Sequence, residues 1–418
     1  MTASPDPPET PPAGGALAGE GYSPRGGGGT PAARLAAYIR GGGIVVPVLT
    51  AVLAFLVAGL VMLLTGNDPF ATYEAIFEGT GLQWVFPWVT GDDRATAALN
   101  LQQTLIITTP LILTGLAVAF AFRAGLFNIG GQGQYIVGSI AAVWVGSSFA
   151  GMPSLLHILL AVVAACVAGA AWAGIAGLLK ATVGAHEVIS TIMLNYIALW
   201  VGVWLFGLGG PLQNDRDPSL PVSNDVVEGA KLPVFWGDPV LQGLHVGLFI
   251  ALAVAVVFWV LLNRSTTGYE VRAVGFNPEA ARYGGMSVAR NYVLVMAACG
   301  LFAGLAGALD ILGWQFRLAT NDIQIGMYGF LGIAVALLGR STASGTVAAA
   351  LLFGALLSGT SQRNLDPTVF EPELASNLTL IIQGLVVLLV SADVVVLSAL
   401  RRGRGLLTAR RRAEEAAP

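Results

Sequence analysis

Polar side chains are scarce in this sequence, so the few that interrupt its apolar runs stand out. One group is Gly125-Leu126-Phe127-Asn128-Ile129-Gly130-Gly131-Gln132-Gly133-Gln134, four glycines and three carboxamides at the edge of an apolar run. A neutral amide donates and accepts hydrogen bonds at once. Asn128, Gln132 and Gln134 could therefore bind hydroxyl or base groups of a ligand without bringing a charge among apolar helices. Glycine at this density makes a poor continuous helix. The segment suits a broken helix whose backbone and amides line a polar cavity; a tight turn between two spans is the plainer alternative. Asn195 lies about two turns inside the run that follows Glu187. A polar side chain there faces the bundle or a pathway, and a helix–helix hydrogen bond serves as well as ligand contact. Tyr328 and Phe330 could stack on a flat ligand or anchor a helix at the membrane interface. Asp310 closes a glycine-rich run near its outer end, facing an entry vestibule or the outer solvent.

A second group has the chemistry of docking. In Asn277-Pro278-Glu279-Ala280-Ala281-Arg282-Tyr283-Gly284, Asn277 suits an N-cap and Pro278 the first helical position. Glu279 suits the positive end of the helix dipole, and Gly284 suits the C′ position. A short rigid helix is predicted here, fit either to engage a partner below the membrane or to lie on its surface. Catalytic chemistry is missing. The lysines are Lys180 and Lys231, preceded by Leu179 and Ala230, so no Walker A phosphate loop exists. No Gly-x-Ser-x-Gly elbow or His-Glu-x-x-His motif appears. His157, His186 and His245 lack metal-ligand spacing, and Cys166 and Cys299 sit in apolar runs as small hydrophobes. No catalytic residue, metal site or cofactor is expected in this chain.

The elements that must position these residues follow from composition. Of 418 residues, 55% are hydrophobic and 11% charged, against about 25% charged in a soluble domain. An ordinary soluble enzyme and a disordered chain are both excluded. Apolar runs fall near 44–64, 101–122, 135–152, 156–179, 188–208, 245–262, 293–313, 326–339, 344–359 and 376–392. These read as about ten transmembrane helices, an all-α polytopic protein. With the N-terminus placed inside, 16 of the 21 Lys and Arg fall in inside segments, which puts both termini in the cytoplasm by the positive-inside rule. Residues 1–42 read as a disordered Pro/Gly-rich tail, 43–395 as the membrane domain with an inside loop at 263–292, and 396–418 as a basic tail. Gly300, Gly304 and Ala308 recur every four residues, a face for close helix packing. Gly115–Phe120 before Arg123 echoes Gly332–Leu337 before Arg340, either an internal duplication or chance likeness between apolar helix ends.

In order along the chain, several of these motifs resemble the permease subunits of bacterial ABC importers. The branch is the one for branched-chain amino acids, ribose-type sugars and nucleosides. The motifs are Phe127–Gly130 with Gly133-Gln134, Glu187–Tyr196, Arg272–Gly275 with Asn277–Ala281, the glycine-rich 300–308, and Gly329-Phe330 with Ile333–Gly339. The pattern is most similar to nucleoside and simple-sugar permeases that work with basic-membrane-protein-type lipoprotein receptors. His186 departs from it, standing where Asn is expected. The resemblance implies a multi-pass protein of the bacterial cytoplasmic membrane, paired with a second, different permease. Two ATPase subunits would hydrolyse ATP below, and an extracytoplasmic lipoprotein receptor would deliver substrate above. Nucleosides or related ribose-containing solutes would pass, with Asn128, Gln132, Gln134, Asn195 and Phe330 as substrate contacts. Asn277, Pro278, Glu279, Ala280, Ala281 and Arg282 would form the coupling helix. Membrane lipid is the other partner, and no nucleic acid polymer is expected. Another sugar or a branched-chain amino acid is the alternative cargo. An ion-coupled secondary transporter is the rival class, but only Asp310 and Glu187 approach the membrane interior as acids.

Overall fold

Helix starts and stops follow the local chemistry closely in the computed structural model, which describes residues 45–64, 68–238, 243–361 and scattered positions from 380 to 388. The two tails and most of the expected run at 376–392 lie outside the described residues. The first helices are α1 (Val45–Leu64) and α2 (Pro69–Thr80). Asp68 caps α2 by accepting the Phe70 N–H, with Pro69 in the first turn. Next come α3 (Gly91–Arg123), α4 (Gly131–Ser147), α5 (Ser154–Val183) and α6 (Glu187–Phe206). After a long polar connection come α7 (Gly247–Arg264), α8 (Thr266–Phe276), α9 (Pro278–Tyr283) and α10 (Val288–Asp310). A π-helical turn (Ile311–Gln315) leads to α11 (Thr320–Ile325), α12 (Tyr328–Leu338) and α13 (Ala343–Gly359).

Among the described residues, six stretches are long and apolar enough to cross a membrane: Gly91–Arg123, Ser154–Val183, Glu187–Phe206, Gly247–Arg264, Val288–Gln315 and Thr320–Leu338. The expected runs at 135–152 and 344–359 form α4 and α13, each 17 residues. At 1.5 Å per residue such a helix covers about 25 Å, short of a ~30 Å hydrocarbon core. The all-α expectation needs one amendment. The polar connection after α6 holds a small antiparallel pair, β1 (Val234–Trp236) with β2 (Leu244–His245). Isolated bridges Gln213–Ser223 and Val222–Ala319 stitch the same region. Backbone outside helices must find partners, and this segment finds them in short strand contacts.

The core is built on α3 and α10. Pro110 sits inside α3 and has no N–H to give, yet the helix continues through it. Thr114 Oγ donates to the Pro110 carbonyl at 2.9 Å. The Gly300/Gly304 face of α10 packs directly on α5, as the every-fourth spacing predicts. A Cβ at Gly304 would strike the Ala165 carbonyl, and one at Gly138 of α4 would lie 2.5 Å from Gly304 Cα. Backbones therefore touch, the gain that small residues offer in lipid.

Contacts gather the basic helix ends together. Arg123 Nε donates to the Ser341 carbonyl at 2.9 Å, and Gly275 packs on Arg123 and Ala124. Lys180 Nζ lies 2.6 Å from Glu187 Oε2 and 5.3 Å from the Tyr292 ring centroid. Asn291 Nδ2 donates to Glu270 Oε2 at 3.1 Å. A different set closes the far end: Trp84 on Trp236, the Val226 N–H to the Phe316 carbonyl, and the Val227 N–H to the Gly146 carbonyl.

Candidate functional site

Helix α3 stops at Arg123, and Gly125 turns the chain with φ 69°. A Cβ there would lie 2.9 Å from the Gly275 carbonyl, so glycine answers both the left-handed turn and the close approach. The chain then runs non-helically to Gly130 before α4 begins, the predicted break. Asn128, fully buried, fills it. Its Oδ1 accepts from the Gly130 N–H at 2.9 Å and from Gln134 Nε2 at 3.0 Å, while Nδ2 donates to Gln134 Oε1 at 3.1 Å. Asn195 of α6 reaches the same joint, accepting the Gly133 N–H at 2.8 Å and donating to the Ile129 carbonyl at 2.9 Å. Gln132 spans to the α11–α12 turn, donating to the Gly326 carbonyl at 2.8 Å and accepting the Gly329 N–H at 2.9 Å.

The structure thus brings four of the five expected solute contacts together but engages their amides with protein. A broken helix frees N–H and C=O groups, and an apolar surround demands that each be paired. A carboxamide can satisfy one of each, so Asn128, Gln132, Gln134 and Asn195 form a joint holding α4, α6 and α12. Phe330 stands apart, exposed on α12 and away from the lining described next.

Beside this joint is a cavity of about 180 Å³. Its walls include Tyr135 of α4, Trp314 and Gln315 of the π-helical turn, Asp322 and Ile323 of α11, and Tyr328 of α12. Gly326, whose carbonyl Gln132 holds, also lines it. The Tyr135 and Tyr328 rings lie 5.7 Å apart and tilted. Asp310 is placed at neither a vestibule nor the outer solvent. It is buried, accepting from the Tyr135 hydroxyl and, at 2.5 Å, from Gln315 Nε2. Trp314 Nε1 and Gln315 Oε1 are buried without a hydrogen-bond partner. Both atoms are closed off from the cavity space, whose wall is mainly apolar and aromatic and suits a flat molecule. Sequence reasoning named Asp310 and Tyr328 but missed Tyr135, Trp314 and Gln315. The adjacent Trp-Gln pair after Asp310 was the available signal.

At the basic end, Asn277 caps α9 as expected, its Oδ1 accepting from the Glu279 and Ala280 N–H groups at 3.0 Å each. Pro278 occupies the first turn. Ala281 is buried on Val274 and Val288, while Glu279, Ala280 and Arg282 are exposed. The left-handed residue after the helix is Gly285 (φ 82°), not Gly284 (φ −75°), because a doubled glycine lets the turn slide by one. Phe276 and Tyr283 flank this face at 85% and 94% exposure, an aromatic pair the sequence reading passed over. At α6, His186 holds the N-cap position without a capping bond. Glu187, at the start of the same helix, is buried against Lys180.

A membrane-embedded helical bundle with a polar-lined cavity, a capped helix at its basic end and no phosphate loop has the build of a transport permease. The family described as branched-chain amino acid transport system / permease component matches residues 100–391, and the chain belongs to it. The chain is 42% identical over 318 residues to the guanosine ABC transporter permease protein NupP of Bacillus subtilis, covering 76% of this chain and 85% of that one. It is 34% identical over 322 residues to the nucleoside ABC transporter permease protein NupB of Lactococcus lactis, covering 76% and 83%. It is also 35% identical over 322 residues to the glucose ABC transporter permease protein TsgB13 of Haloferax volcanii, covering 75% and 80%.

Proposed function

We propose that this chain is the membrane-spanning subunit of an ATP-driven importer of nucleosides in a bacterial cytoplasmic membrane. The observation that carries this is the 42% identity to a guanosine permease across 76% of the chain. The cavity chemistry supports it: two phenol rings in a mainly apolar wall suit a flat heteroaromatic base better than an aliphatic amino acid. Each solute enters through the cavity edged by Tyr135, Trp314, Gln315 and Tyr328. The four amides keep that wall in place, and Phe330 serves the solute only at the outer reach of its path.

In this reading the chain crosses the membrane about ten times with both ends in the cytoplasm. Residues 1–42 and 396–418 form tails around a membrane domain at 43–395. The gathering of Arg123, Lys180, Arg264, Arg272, Arg290 and Arg340 at one end supports that orientation. Helix α9 then faces two ATPase subunits, with Asn277, Pro278, Glu279, Ala280, Ala281 and Arg282 as the coupling element and Phe276 and Tyr283 as aromatic anchors. Closure of the ATPases would shift α9 and rock the bundle between two states. A second, different permease completes the pore, and a lipoprotein receptor delivers the solute. ATP is hydrolysed in the partners and not here.

The similarity to a glucose permease favours a sugar as the second reading. Uptake of labelled guanosine, uridine, ribose and glucose in cells with and without this chain separates them. Nucleoside uptake that depends on the chain is expected. Unchanged nucleoside uptake with lost glucose uptake would transfer the assignment to sugars. For coupling, Glu279→Ala with Arg282→Ala should lose ATPase co-purification while still inserting, and retained association would remove the role given to α9.

A further inference from the structure

A second, larger cavity of about 800 Å³ lies at the basic end, away from the solute cavity. Its walls come from the end of α7, from α8 and from the start of α10. They bring together Arg264, Arg272 and Arg290, with Tyr269 and Ser265 beside them. One carboxylate, Glu270, shares the cavity, and its Oε2 is taken by Asn291 Nδ2. Among the described residues none of these arginines forms an ion pair. Arg272 Nε donates at 3.3 Å to the Gly268 carbonyl of its own helix, and Arg264 stacks 5.7 Å from the Trp259 ring centroid.

Three guanidinium groups against the one carboxylate of Glu270 leave the recess net cationic, which favours a further anion. The planar fork of arginine matches a phosphate through paired hydrogen bonds. What continues from the recess decides the kind of phosphate. Arg264 ends α7, and the same helix exposes Val256, Val257, Trp259 and Val260, at 62%, 57%, 47% and 44%. Two turns of helix from Val256 to Arg264 rise about 12 Å. An apolar flank of that height below a tryptophan and an arginine matches acyl chain, interface and headgroup in turn. Basic pockets between spans at the inner face are where anionic headgroups bind.

We infer that this recess holds the phosphate of an anionic phospholipid, with its acyl chains along α7. The lipid braces α7, α8 and α10 beside α9. The inner-leaflet placement rests on the orientation proposed above, whereas the binding does not depend on what solute is carried.

The test uses the full chain purified in detergent and titrated with phosphatidylglycerol, phosphatidylcholine or inorganic phosphate. Thermal unfolding and native mass spectrometry are the readouts. Phosphatidylglycerol should raise the unfolding midpoint and remain as one bound lipid, and phosphatidylcholine and free phosphate should not. Replacing all three arginines by glutamine should weaken retention by on the order of 100-fold, taking about one tenfold step or less per charge. Arg216→Gln, on the opposite connection, should change nothing. Where the triple variant fails to fold, Arg264→Gln, Arg272→Gln and Arg290→Gln taken singly should each weaken retention. Undiminished lipid preference in those variants would overturn the proposal. So would equal stabilisation by inorganic phosphate, which would mark a free-anion site. No lipid preference in the wild type, with ATPase association lost in the variants, would assign the recess to a protein interface instead. Absence of nucleoside uptake with lipid retention intact would sink the transport reading and leave this one standing.

Discussion

Two polar regions lie side by side in this bundle and differ in one respect. In the joint of Asn128, Gln132, Gln134 and Asn195, every amide atom has a partner. In the neighbouring cavity, Trp314 Nε1 and Gln315 Oε1 have none. Buried polar groups that are fully paired stabilise a particular arrangement, and unpaired ones carry a free-energy cost. The contrast separates a joint that holds α4, α6 and α12 together from a cavity wall that bears unpaired groups, which we propose as the side of the bundle that meets the cargo.

The comparison can be broken most forcefully at the joint. Asn128→Leu removes three hydrogen bonds and leaves the Gln134 amide unpaired, at a cost of about 1–3 kcal/mol. Less folded protein and a lower unfolding midpoint are expected, measured in detergent by fluorescence-detected gel filtration. Asn128→Leu combined with Gln134→Leu should cost less than the sum of the two, because each already strands the other. Strict additivity would mean the pair is not the unit described. At the cavity the reverse split is expected. Tyr328→Phe keeps the ring and Trp314→Phe keeps an aromatic group at the cavity edge, so folding should largely hold while the KM for nucleoside uptake rises several-fold. A variant that loses folded protein instead would move the cavity wall to the structural side of the comparison.

A pH-dependent effect of similar size is expected behind the cavity wall, at the back of the π-helical turn. His245 is buried on β2, accepts the Gly247 N–H on Nδ1, and is packed by Gly313. Burial pushes its imidazole down to about 4. As pH falls below about 6.5 the unfolded chain takes up a proton that the folded chain refuses. Stability should therefore decline between pH 6.5 and 4, by on the order of 3 kcal/mol at most. His245→Gln keeps an acceptor and should flatten that decline in unfolding scans.

Much of the fold was legible beforehand. Apolar runs marked the six stretches long enough to span, the Gly300/Gly304 spacing marked a packing face, and Asn277-Pro278 marked the cap of α9. The break after Arg123 was legible from its glycines. The use made of the amides was not, because Gln132 meets Gly326 and Gly329 across 194 and 197 residues. No local pattern distinguishes an amide that meets solute from one that meets a distant carbonyl. The π-helical turn was hidden for a similar reason: nothing in Ile311–Gln315 breaks helical spacing, yet the extra residue per turn brings Gln315 back onto Asp310. Phe276 and Tyr283 were passed over because exposed aromatics beside a capped helix look like interface anchors until their exposure is seen.

The most direct test of the account is competition for uptake through the assembled transporter. Labelled guanosine is offered with excess unlabelled nucleosides, free ribose or glucose, in wild type and in Trp314→Phe. The account predicts that nucleosides compete in the wild type and that Trp314→Phe weakens competition by bases more than by sugars. Equal competition by ribose or glucose, unaltered by Trp314→Phe, would contradict it.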